Sequence, residues 1–497
     1  MRTMLMGCVL ALGFGVHAWA SEPVSQDQVD ALKKQLAEQQ QEINSLRAAE
    51  GDSWLTEKRA EQIKGLVHEV LADAETRASF AEGGMTAGWN DGNFFLASED
   101  GNFLLNIGGQ AQIRYTMNHN DEDDGEDDEG PDFREHNEGF SIHRAVLNFD
   151  GHLYDPRFTY MISILMADEI THSITEDDPD TEEDEFAFSS SSSSSSGTAR
   201  LQNAWAAYEL ADGWVFKMGQ FKAPFLRDES VHSSRQLAVE RALVTDLLTV
   251  DYTQGAQIAY DGELAGTSLR WALMLHDGSY GANVGGVPNE DVDYAIATRI
   301  EALFCGTWDQ FADYATWSSD DFGLMAGFGF DYENAEGEDS TTANDTVKWT
   351  LDVSAEIPDC WGFNAMVAFT GNHPSARNDP DFDEPDQYTL VAQAGLFIQP
   401  DKWDVFGRWE WIDLDDQPLG GGSEFDDDTE DSINFLTFGT NYYFHGHGAK
   451  FTLDTVWALD ETEAFLTTSN FYGHNSGILI SDDDEQVVLR AQFQFLF

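Results

Sequence analysis

The sequence predicts an all-β transmembrane fold: a sixteen-stranded antiparallel outer-membrane β-barrel preceded by a short N-terminal coiled coil. Three observations predict it. From Phe94 onward apolar and polar residues alternate with period 2, the repeat of a strand with two unlike faces. The connections between these segments alternate between short turns and long, mostly acidic stretches, the asymmetry of a barrel with a periplasmic and an extracellular rim. No segment approaches a 20-residue apolar run and the mean hydropathy is −0.39, so a membrane-spanning chain of this composition has to be a closed barrel.

Residues 1–20 read as a signal peptide: Arg2, an apolar run Met4–Val16, and Ala18-Trp19-Ala20 as a small-x-small cleavage site. Cys8 lies inside the apolar run, too early for lipid attachment. Residues 21–80 form a periplasmic helical region. Val29, Leu32, Leu36, Ile43 and Leu46 follow a/d spacing, with Gln39 at one d position, as in a coiled coil of about three heptads. Gly51-Asp52 interrupts it, and a second helix is expected over Glu57–Arg77. Residues 81–102 are expected to be a linker, and 103–497 the barrel.

The sixteen strands are placed at 103–117, 139–150, 157–167, 200–210, 213–220, 252–260, 267–276, 292–303, 322–332, 347–357, 362–370, 387–398, 403–412, 433–444, 449–459 and 485–497. In the last of them Val487, Leu489, Ala491, Phe493, Phe495 and Phe497 share one face and Gln486, Arg490, Gln492 and Gln494 the other. Its C-terminal Phe resembles the closing strand of a Gram-negative outer-membrane barrel. Asp212-Gly213, Asp261–Gly266, Pro358–Trp361, Gln399–Lys402 and His445–Gly448 are the short turns, of Gly, Pro, Asn or Asp type. The long connections are 118–138, 168–199, 371–386, 413–432 and 460–484.

The formal charge of −65 excludes nucleic acid as a partner, since phosphate binding needs clustered Lys and Arg. The acids concentrate in the long connections. Asp121–Glu129 holds 8 acids in 9 positions, Glu176–Glu185 holds 8 in 10, Glu424–Asp431 holds 6 in 8, and Asp482–Glu485 is wholly acidic. None has the ligand spacing and Gly of a calcium loop; no metal and no cofactor is expected. HExxH, GxSxG and phosphate-cradling Gly loops are absent, which argues against an enzyme. Cys305 and Cys360 sit near short turns, where a disulfide and two separate thiols are both open.

With the apolar faces toward lipid, the opposite faces line the lumen. A charge on the lipid side costs roughly 2–4 kcal/mol near the midplane, so the strand bases turn inward: Arg114, Arg144, Lys217, Arg270, Arg299, Lys348, Arg408, Lys450 and Arg490. Glu301, Asp352, Glu356, Asp404, Glu410 and Asp454 turn inward with them, giving a mixed, slightly basic wall. The connection Phe221–Asp251 carries no acid run and has a partly helical pattern. A loop of this kind folded into the lumen narrows it, placing Lys222, Arg227, Arg235 and Arg241 at the constriction.

Within Lys217–Leu243 (KMGQFKAPFLRDESVHSSRQLAVERAL), Gly219-Gln220-Phe221, Ser233-Ser234 and Glu240-Arg241 resemble elements of the phosphate-selective porin O/P family. GFSIHRAVLNFDG at 139–151 is similar to its early R-A-x-L-x-F strand. The resemblance extends loosely over 103–497. It implies a trimeric porin with an arginine ladder and a lysine cluster guiding anions. Here only 18 of 26 Lys and Arg lie in 103–497, scattered rather than clustered, a departure that bears on phosphate more than on the channel itself. The expected function is a passive channel for small ions and polar solutes, embedded in outer-membrane lipid as a homotrimer. The alternative is a structural protein that tethers the membrane to the cell wall through 21–80.

Overall fold

The computed structural model describes residues 84–90, 92–119, 136–166, 172–173, 191–192, 199–279, 281–282, 292–334, 345–375, 384–415, 431–462, 464, 476–479 and 486–497. The expected signal peptide, coiled coil and acid runs lie outside these residues, except for Asp431 at the end of one run. The chain divides into two compact units, 1–86 and 87–497, and the barrel lies in the second.

A closed antiparallel barrel is built from sixteen strands. A hairpin, β1 (Met85–Asn90) and β2 (Asn93–Ser98), precedes it. The wall begins with β3 (Phe103–His119), β4 (His136–Leu153) and β5 (Phe158–Leu165); β6 (His172–Ser173) and β7 (Ser191–Ser192) form a separate two-residue pair. It continues with β8 (Arg200–Ala211), β9 (Trp214–Lys222), β10 (Tyr252–Leu264), β11 (Thr267–His276) and β12 (Tyr294–Cys305). Then follow β13 (Gly323–Asn334), β14 (Asp345–Ile357), β15 (Phe363–Ser375) and β16 (Gln387–Gln399). The wall ends with β17 (Trp403–Asp413), β18 (Ser432–His445), β19 (Ala449–Ala458) and β20 (Val487–Leu496). Each wall strand pairs with the next, and β20 closes on β3 from Val487↔His119 to Leu496↔Gln110. Closure removes the unpaired edges that lipid does not tolerate. Every expected strand is present, with ends shifted by a few residues.

Alternation fixes the two faces. On β14, Lys348, Thr350, Asp352, Ser354 and Glu356 are buried inward while Leu351 and Val353 are exposed outward. On β20, Val488, Arg490, Gln492 and Gln494 face in and Phe493 and Phe495 face out. Among the described residues no helix is long and apolar enough to cross a membrane.

Two features depart from the sequence reading, and a third decides between two readings it left open. The expected linker contains β1 and β2, and β2 pairs with β3 from Phe94↔Ile107 to Ala97↔Leu104, covering the stretch of β3 that β20 does not reach. The short-turn rim carries one long connection, 306–322, whose Gln310, Phe311, Tyr314, Ala315 and Thr316 are buried. Finally, Cys305 and Cys360 are separate thiols. β13 lies between the strand that ends at Cys305 and the strand that leads to Cys360. Two inter-strand spacings of about 4.8 Å exceed the roughly 7 Å Cα separation that a disulfide spans.

Candidate functional site

The segment 223–251 folds into the barrel. It contains α1 (Arg227–Ser230), a 3-10 turn Ser233–Arg235, and α2 (Leu243–Leu248). His232 caps the 3-10 turn, its Nδ1 accepting from the Ser234 amide at 3.2 Å. The reason for the inward fold is apolar. β15 to β20 direct Met366, Val391, Phe406, Ile412, Ile433, Phe435, Val456 and Val488 into the lumen, where water is a poor partner. Val231, Leu237, Ala238, Ala242, Leu243, Val244 and Leu247 of the segment cover them. Each fully buried large aliphatic contributes about 1.5–3 kcal/mol.

The irregular backbone of this segment needs polar partners at membrane depth, and the charged wall supplies them. Arg299 Nη1 donates to Phe225 O (2.9 Å), Lys450 Nζ to Gln236 O (2.7 Å), Arg408 Nη1 to Glu240 O (2.9 Å), and Asn441 Nδ2 to Leu237 O (2.9 Å). In return the Val239 amide donates to Asp454 Oδ2 (2.8 Å) and the Val244 amide to Glu410 Oε2 (3.3 Å).

Glu240 is the hub. On β4 a bulge leaves His143 unopposed between Gln112↔Arg144 and Ile113↔Ile142, so His143 and Arg144 both aim inward, as bulges allow. Arg144 forms a fork with Glu240 at 2.9 and 2.8 Å, Arg114 Nη2 donates to the same carboxylate, and His143 Nε2 lies 2.5 Å from it. Burial opposes ionisation of Glu240, but Arg144, His143 and Arg114 outweigh it and hold the carboxyl well below its ordinary range. Ser233 and Ser234 dock beside it. Gln110 Nε2 donates to Ser233 Oγ (3.2 Å) and Gln494 Nε2 to Ser234 O (3.0 Å).

The four residues expected at the constriction separate. Arg235 is exposed. Arg241 is half-buried and donates to the carbonyls of Asp228 (3.2 Å) and Val231 (3.0 Å). Lys222 ends β9 with Nζ 3.2 Å from Glu229 and 3.5 Å from Asp251. Arg227 is buried; it donates to Phe311 O and lies over the Tyr314 ring at 5.6 Å, fastening the segment to 306–322 rather than facing open space. That second intrusion is held by Trp317 against Tyr443 (5.1 Å) and by Asp313 beside His447 (3.2 Å).

The wall bases also divide. Besides the bonds above, Arg299 pairs with Glu301 (2.9 Å) and Asp352 (2.8 Å), Arg408 with Glu410 (2.7 Å), Arg490 with Asp454 (2.8 Å) and Lys348 with Glu333 (3.6 Å). Arg270 sits at the short-turn rim, against Asp261 (2.8 Å) and the Trp308 ring (4.4 Å). Among the described contacts Lys217 touches only aromatic faces, Phe221 at 3.7 Å and Trp205 at 5.3 Å. Inward residues of β13 to β20 are mostly buried, whereas Asn148, Asp150, Asn203, Lys217 and Gln257 on β4, β8, β9 and β10 are half-exposed. The lumen is therefore filled on one side and open on the other.

The sequence reading missed the 306–322 intrusion and the role of Glu240 and His143. The first had a signal: Trp308, Phe311, Tyr314 and Trp317 are too aromatic for a solvated turn. The second had a faint one, the break in alternation at His143-Arg144.

A closed barrel with an outward apolar face, an inward-folded segment and a polar inner side has the architecture of an outer-membrane porin barrel. Residues 113–285 match the family described as phosphate-selective porin O and P, and both stretches that carry the resemblance, 139–151 and 217–243, lie inside that match. An uncharacterized protein of Aquifex aeolicus is 25% identical over 312 residues, covering 60% of this chain and 68% of its own. Among solved structures, an anion-selective porin from Comamonas acidovorans aligns with a TM-score of 0.46 and 9% identity, over 79% of this chain and 99% of its own. The outer-membrane channel DcaP of Acinetobacter baumannii aligns at 0.42 and 12%, over 79% and 97%.

Proposed function

We propose that the protein is a passive channel that passes small anions in preference to cations along the open side of the lumen. One observation carries this reading. Of the predicted lumen cations, Lys217 and Arg235 have neither a carboxylate nor a carbonyl partner among the described contacts, and both are at least partly exposed. An uncompensated cation beside a water-filled path lowers the barrier to anions. The other wall bases are engaged with carboxylates or with the intruding segments, so an arginine ladder is not the basis of this proposal. Phosphate as the particular anion rests on the family resemblance alone. The same reading makes the protein a homotrimer in the outer membrane of a Gram-negative cell with its N-terminal region in the periplasm. Cell-wall tethering depends on residues 21–80, outside those described, and neither fold nor family supports it. Reversal potentials of single channels in a salt gradient test the proposal: an anion-side potential is expected, and a cation-side potential overturns it.

A further inference from the structure

Resting on the channel reading, we propose that Glu240 is the positioning residue of the constriction and that, with Ser233 and Ser234, it clamps the inward segment to the seam where the first and last wall strands meet. The seam is β3–β20. Among the described contacts, the wall side chains that grip Ser233, Ser234 and the Glu240 carboxylate stand on it or beside it: Gln110, Gln112 and Arg114 on β3, Gln494 on β20, and His143 and Arg144 on β4. The two seam strands are themselves joined here, Gln112 Nε2 to Gln494 Oε1 (2.8 Å) and Arg114 Nε to Gln492 Oε1 (3.1 Å).

The clamp is two-sided. The Glu240 carboxylate is held from β3 and β4, while its carbonyl accepts from Arg408 on β17, on the other side of the β3–β20 seam. The residue that bears the fork is thus a tie between the two sides of the seam, and Arg241 follows it directly in sequence. Arg114 and Gln112 take part in both the seam and the clamp. Charge arithmetic fits a clamp better than an ion site. One carboxylate serves two guanidiniums and an imidazole, all but Arg144 nearly fully buried, so a permeating ion does not reach the centre of the cluster.

The test uses the full-length protein with Cys305 and Cys360 replaced by Ala, reconstituted in planar bilayers. Glu240→Gln is expected to raise single-channel conductance by about two-fold or more and to add open-channel noise, as when a structured constriction gives way. Bridging Ser233→Cys to Gln110→Cys with a short reducible bis-methanethiosulfonate in the same background is expected to restore the narrow, quiet state, and reduction in the bilayer to release it. If Glu240→Gln alone does not fold, it is prepared already bridged and then reduced, which gives the same readout. Unchanged conductance in Glu240→Gln, or on reduction of the bridged form, overturns the clamp. A parent protein that conducts nothing overturns the channel reading instead, so the two failures are distinct.

Discussion

Arg490→Met separates a base that holds the barrel from a base that guides ions. Arg490 makes a fork to Asp454 at 2.8 and 2.8 Å and donates to Ser476 O at 3.1 Å, and the two side chains are 1% and 0% exposed. Replacing the guanidinium leaves Asp454 buried, with the Val239 amide as its remaining hydrogen-bond donor. Breaking one side of such a pair costs about 3–5 kcal/mol. The neutral double replacement Arg490→Met/Asp454→Asn keeps an acceptor for Val239 and removes the stranded charge, so it is expected to recover to within about 1–2 kcal/mol of the parent. Urea unfolding in vesicles, followed by heat-modifiable migration, measures both. Reversal potential measures the other half: the single variant, wherever it still folds, is expected to keep the parent's ion preference, because the segment 223–251 stands between Arg490 and the open side. A shifted reversal potential with an unchanged unfolding midpoint refutes the assignment of this base to structure.

The uncompensated cations predict the reverse pattern. Lys217→Gln and Arg235→Gln are each expected to move the reversal potential toward cations while changing stability by no more than about 0.5 kcal/mol. Gly109→Val sets a side chain into the Phe497 ring and against Val146 O at 2.8 Å. It is expected to cost about 1–3 kcal/mol as overpacking and to lower the yield of heat-modifiable barrel. A carboxyl held low contributes stability above its unfolded pKa of about 4.3 and loses it only as pH falls through the folded value. The Glu240 clamp is therefore expected to keep conductance steady from neutral pH down to the ordinary carboxylate range, and widening of the channel already near pH 6 counts against it. Maleimide labelling without reductant is expected to add mass at Cys305, which is exposed and not bonded to Cys360.

Much of the wall was legible before any tertiary information. Period 2 is a local property of the chain, so Val487 and Arg490 declare their faces without knowledge of their neighbours. The turn residues at Asp212-Gly213 and His445–Gly448 fix where strands reverse. Harder to read was the hairpin at 85–98, because its apolar residues pair with only part of β3, and a short strand carries little periodic signal. The 306–322 connection was hidden for another reason: its partners Phe397, Tyr443 and His447 are far away in sequence.

Sequence alone determined the barrel, its strand number and which side of each strand meets lipid. It determined too that bases line the interior, since charge in lipid is too costly to be tolerated. Tertiary structure decided which of those bases are occupied. Arg114, Arg299, Arg408, Lys450 and Arg490 are joined to carboxylates or loop carbonyls brought to them by folding, whereas Lys217, among the described contacts, meets only aromatic rings. A face follows from alternation along one strand. An ion pair needs two groups within about 4 Å, and the chain sets that distance only when the barrel closes and the segment 223–251 folds inside it.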